Sequence, residues 1–93
     1  MTEGKVERKV IVISGGANNI GKGVALKFLN NGWQVGIIDH DKRALDNFPQ
    51  KESGSAFLYV GDVSDEYAMA EFYIELKERF GRLDAIVNNA AIG

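Results

Sequence analysis

Short runs of aliphatic residues alternate along this chain with segments in which apolar side chains recur every three or four positions. Lys9-Val-Ile-Val-Ile-Ser14 is rich in β-branched residues and ends at Gly15-Gly16, the pattern of a strand buried on both faces. From Ile20 the period changes: Ile20, Val24, Phe28 and Leu29 share one face of a helix, which Asn30-Asn31-Gly32 stops. Gly21 and Gly23 fall inside that helix, where each costs about 1 kcal/mol relative to Ala, so close approach of a backbone or a ligand is the expected reason for both. Gln34-Val-Gly-Ile-Ile-Asp39 repeats the strand pattern, and Lys42 to Phe48 predicts a short helix ahead of Pro49. Ala56-Phe-Leu-Tyr-Val60 reads as a third strand. Ser64 is the expected N-cap of a long helix, with Asp65 and Glu66 in its first turn and Met69, Phe72, Leu76 and Phe80 as its apolar stripe. Gly81 ends this helix, and Leu83-Asp-Ala-Ile-Val87 predicts a fourth strand.

The string is β-α-β-α-β-α-β, and short strands alternating with helices imply right-handed crossovers and a parallel sheet. With 93 residues, one domain spanning 1–93 is expected, and 45% hydrophobic with 26% charged residues is the balance of a globular chain. A formal charge of −2 carries no basic field for nucleic acid or an anionic membrane. The absence of cysteine excludes disulfides and thiolate chemistry, and a single His argues against a metal site. The polar start Met1 to Lys9 and the short aliphatic stretches offer no signal segment or membrane span, so cytoplasmic residence is expected.

A strand, a glycine turn and a helix N-terminus bring backbone N–H groups and the positive end of a helix dipole to one place, which suits a diphosphate. Residues 14–21 have that layout, although the glycines at 15, 16, 21 and 23 do not spell G-x-G-x-x-G. Ser14-Gly-Gly-Ala-Asn-Asn-Ile-Gly21 instead resembles the Thr-Gly-x-x-x-Gly-x-Gly loop of the short-chain dehydrogenases/reductases, with Asn19 at the middle glycine. Asn tolerates positive φ better than other side chains, so the bend survives the replacement, while its side chain projects toward the expected pyrophosphate.

Asp39 ends the second strand 18 residues after Gly21, near the offset at which an acidic residue accepts hydrogen bonds from a ribose. A 2′-phosphate would meet like charge there, no Arg follows directly because His40-Asp41 come next, and position 18 in the loop is Asn and not a basic residue, so NAD is expected over NADP. Asp62-Val63 resembles the family's acidic-aliphatic pair beside the adenine. Asn88-Asn-Ala-Ala91 resembles its Asn-Asn-Ala-Gly element, with Ala91 in place of glycine. The resemblance implies a partial Rossmann-type sheet of order 3-2-1-4 with helices on both faces. It assigns the cofactor to Ser14, Gly15, Asn18, Asn19, Ile20, Gly21, Asp39, Asp62, Val63, Asn88 and Ala90.

Members of that family move hydride between a nicotinamide and an alcohol or carbonyl with a Ser and a Tyr-x-x-x-Lys, all C-terminal to the Asn-Asn-Ala-Gly element. The chain ends at Gly93, two residues after Ala91, so the expectation is a cofactor-binding half with no catalytic residue, inactive alone. Tyr73-Ile-Glu-Leu-Lys77 has the spacing but precedes the fourth strand, and the crossover helix that carries it is expected against a sheet face. An alternative reading is a non-enzymatic module of the same fold, closed to nucleotide by Asn19. A third is another mononucleotide binder. The fourth strand's outer edge or the long third helix is the expected seat of a homo-oligomer contact.

Overall fold

The computed structural model describes residues 8–89. The elements run β1 (Val10–Ser14), α1 (Asn19–Asn30), β2 (Gln34–Asp39), α2 (Lys42–Asp46), β3 (Ala56–Val60), α3 (Glu66–Phe80) and β4 (Ala85–Asn88). The four strands form one parallel sheet of order β3-β2-β1-β4. β1 is central and wholly buried, so its alternating side chains feed two cores. Ile11 and Ile13 meet Ala25 and Leu29 of α1 and Leu45 of α2, whereas Val10 and Val12 meet Phe72 and Leu76 of α3. Phe57 of β3 stacks on Phe72 with ring centroids 5.6 Å apart, tying α3 to the outer strand.

Each helix ends where local chemistry stops it. Gly32 at φ 87° closes α1, and Gly81 at φ 78° closes α3, both in the left-handed region that glycine enters freely. Helix α2 stops at Asp46, two residues short of the expected Phe48, because the residue before Pro49 is driven out of the helical region; Phe48 still fills the core. The expected first and fourth strands shift by one or two residues, to Val10–Ser14 and Ala85–Asn88. Three further expectations are corrected. The cap of α3 is Asp65, whose side chain accepts from the N–H groups of Tyr67 and Ala68; Ser64 instead donates its N–H and hydroxyl to Asp62 Oδ1. The buried seam of α1 is Gly21, Ala25 and Leu29, and Ile20 is 75% exposed. Gly23 approaches nothing, since a Cβ there would find no atom within 4 Å.

The rotation of α1 has a steric cause. A Cβ on Gly21 would lie 2.4 Å from the Gly15 carbonyl oxygen and 2.6 Å from Asn89 Nδ2, so the helix presents its glycine to the loop and turns Ile20 outward. Gly36 plays the same part on the other face: a Cβ there would lie 2.3 Å from Leu76 Cδ1, so its absence lets α3 settle onto β2. No helix among the described residues is long and apolar enough to cross a membrane.

Candidate functional site

All four strands point their C-terminal ends to one side of the sheet, and the bend after β1 lies between the ends of β2 and β4. That is where an open parallel sheet forms a crevice, because the helix after β1 and the helix before β4 cover opposite faces. The bend is held from both sides. Gly15, at φ 73°, donates its N–H to the Ile38 carbonyl at 2.8 Å, and its own carbonyl accepts from Asn89 Nδ2 at 3.2 Å. Asn89 N–H donates to the Ser14 carbonyl at 3.1 Å, and Ser14 Oγ donates to Asn88 Oδ1 at 2.7 Å. The Ser14 hydroxyl and Asn88 thus fasten β1 to β4.

Asp39 is 5% exposed, and its carboxylate faces the bend. Oδ2 accepts the Ala17 N–H at 3.1 Å, and Oδ1 accepts the Asp41 N–H at 3.0 Å with His40 Nδ1 at 3.6 Å. Each oxygen retains a second acceptor direction. Asn19 adopts φ 54°, the left-handed conformation that an asparagine tolerates in place of glycine. Asn18 has the extended backbone of an N-cap but makes no side-chain capping bond, so the first-turn N–H groups of α1 are uncovered by it.

A cleft of about 430 Å³ opens above these groups. Of the residues singled out in the sequence, Gly15, Asn18, Asn19, Asp39, Asp62 and Val63 line it; His40, Gly61 and Asn89 complete the wall. Ser14, Gly21 and Asn88 lie outside that lining, as does the exposed Ile20, and Ala90 falls outside the described residues. Asn89 was missed as a site residue because alternation past the end of β4 turns it, and not Asn88, toward the loop; only its place in the Asn-Asn pair could have signalled it. The Asp62 carboxyl is held below the usual range, chiefly by the Ser64 backbone N–H, then by the Ser64 hydroxyl. Together the lining holds two carboxylates and a histidine but no Lys or Arg. No group of three or more metal-ligating side chains gathers among the described residues.

Tyr73 and Lys77 are elsewhere. Tyr73 is half-buried and packs edge-on against Phe72 at 5.3 Å at the margin of the core beneath α3, and burial pushes its phenol up. The pair lines no part of the cleft.

The family profile described as "short chain dehydrogenase" matches residues 9–93. The L-fucose dehydrogenase of Oryctolagus cuniculus is 40% identical over 82 residues, which is 88% of this chain and 28% of that protein. The meso-2,3-butanediol dehydrogenase of Serratia marcescens is 34% identical over 89 residues, 95% of this chain and 36% of that protein. Among solved structures, the 3-ketoacyl-(acyl-carrier-protein) reductase of Brucella melitensis, complexed with NADH, superposes with a TM-score of 0.85 at 32% identity, covering 94% of this chain and 36% of that one. The chain therefore spans about a third of the length of these relatives. With its loop, its sheet order and these matches in agreement, the chain belongs to the short chain dehydrogenase family.

Proposed function

We propose that this chain is the dinucleotide-binding segment of a short chain dehydrogenase and that its cofactor is NAD. The observation that carries this reading is the bend at residues 15–21, where a glycine admits no Cβ at position 21 and the first-turn N–H groups of α1 stand uncapped beside the cleft. Such a cradle takes a diphosphate through backbone amides and the helix dipole. Gly15, Asn19, Ile20 and Gly21 would hold the diphosphate, Asp39 the adenosine ribose, and Asp62 with Val63 the adenine; Ser14, Asn88 and Asn89 keep the loop in place. A bound nicotinamide dinucleotide supplies a hydride acceptor or donor.

The preference for NAD follows from charge. Asp39 and Asp62 line the cleft without a Lys or Arg, so the 2′-phosphate of NADP would be repelled and left without a cationic partner of fixed charge. No Tyr, Lys or Ser in the lining is placed to exchange a proton with a reacting carbonyl, and this stretch by itself binds without turnover. The Ile86 side chain of β4 is 57% exposed, and Tyr67 and Ile74 of α3 are 89% and 60% exposed; these apolar positions are the seat proposed for a homo-oligomer contact, read by sedimentation.

Calorimetric titration tests the reading. Saturable NAD binding, weaker binding of NADP and a loss of affinity in Asp39→Ala are expected. Absence of binding at millimolar cofactor would reject it and favour the alternative of a non-enzymatic module closed to nucleotide.

A further inference from the structure

Asn18 sits at the N-cap of α1 with φ −132° and ψ 157°, the backbone from which an asparagine ordinarily turns its side-chain oxygen onto the N–H groups two and three residues on. Here those are the amides of Ile20 and Gly21, the same groups that would meet a diphosphate. The side chain does not reach for them. Asn18 Nδ2 donates instead to Asp41 Oδ2 at 2.9 Å, across 23 residues of sequence. The other oxygen, Asp41 Oδ1, accepts the Ala44 N–H at 3.0 Å as the cap of α2. One carboxylate thus starts α2 and holds the capping side chain of α1 at a distance. Two hydrogen-bond donors also hold the Asp41 carboxyl below its usual range, the Ala44 N–H first and Asn18 second, so it is an anionic acceptor at neutral pH.

We propose that Asp41 is a positioning residue for dinucleotide binding: by drawing the Asn18 side chain toward α2, it keeps the first-turn amides of α1 uncovered for the diphosphate. The inference rests on the reading of the cleft given above. Without the latch, Asn18 caps its own helix and competes with the incoming phosphates, a cost that ligand binding must then overcome. With it, the open arrangement exists before the ligand arrives.

The variant that isolates the latch is Asp41→Ser, since serine caps α2 but is too short to reach Asn18. NAD affinity measured by calorimetry is expected to fall about fivefold, the equilibrium weight of one capping hydrogen bond. In the Asn18→Ala background the same Asp41→Ser substitution is expected to change affinity no further, because no side chain remains to cover the amides. Unaltered affinity in Asp41→Ser, or an equal loss in both backgrounds, overturns the proposal. A ligand-free readout separates this outcome from failure of the underlying reading: exchange of the Ile20 and Gly21 amide hydrogens is expected to be slower in Asp41→Ser than in the parent chain. Equal exchange rates overturn the latch whether or not NAD binds, whereas slower exchange in a chain that takes up no NAD overturns only the cofactor reading.

Discussion

Asp39 Oδ2 accepts the Ala17 N–H at 3.1 Å, so the last residue of β2 braces the bend that leaves β1. Ala17 is 2% exposed, and without this acceptor its amide would be buried and unpaired. Asp39→Ala is therefore expected to lower the unfolding free energy by about 1–3 kcal/mol, a loss read from the urea midpoint at constant slope. Unchanged stability would show that the brace is dispensable and that Asp39 serves a ligand alone.

Two glycines of one helix should respond in opposite directions. Gly21→Ala drives a methyl group against the Gly15 carbonyl and Asn89, and is expected to cost about 1–3 kcal/mol and to weaken NAD binding. Gly23→Ala meets open space inside α1 and is expected to gain about 0.5–1 kcal/mol, through helix propensity and a less flexible unfolded chain. Thermal denaturation of the two variants decides the matter. A stabilising Gly21→Ala would contradict the packing described for the loop.

Tyr59 donates its hydroxyl to a carboxylate oxygen of Glu71, and this hydrogen bond is the main reason that the phenol is pushed up from 10.0 to about 12. Because the folded value is the higher one, the contact stabilises fully below pH 10 and its contribution fades as pH rises from there toward 12. Glu71→Gln should return the phenol toward its ordinary value, seen as tyrosinate absorbance appearing at lower pH. An unshifted titration would mean that the hydrogen bond does not persist in solution.

Most of the fold was legible in the sequence because strand burial leaves a strong mark. Val10 to Ile13 and Val35 to Ile38 carry no polar side chain on either face, which only a covered parallel sheet accommodates, and the sheet order 3-2-1-4 was expected from the family resemblance. The misses are those of contacts between distant residues. The rotation of α1 is set by Gly15 and Asn89, and neither appears in the helix's own periodicity. Gly36 looked like one more residue of a strand, yet it clears space for Leu76, 40 positions later in the chain. Ser64 and Asp65 are both good caps, and the choice falls to Asp65 because Asp62 engages Ser64 first. In the site, Asp39, Asp62 and Val63 were reached through spacing and resemblance, whereas the link from Asn18 to Asp41 depends on side-chain direction, which no spacing encodes.

The central claim is that the bend after β1 receives a diphosphate while the end of β2 receives the neighbouring sugar. Its most direct test is an amide-resolved nuclear magnetic resonance titration of this chain with NAD. Saturating shifts confined to Gly15, Asn19 to Gly21, Asp39 to Asp41 and Asp62 to Val63 are the predicted result. Shifts gathered instead at a separate groove beside β3, lined by Leu45, Lys51, Phe57 and Arg79, would contradict the account.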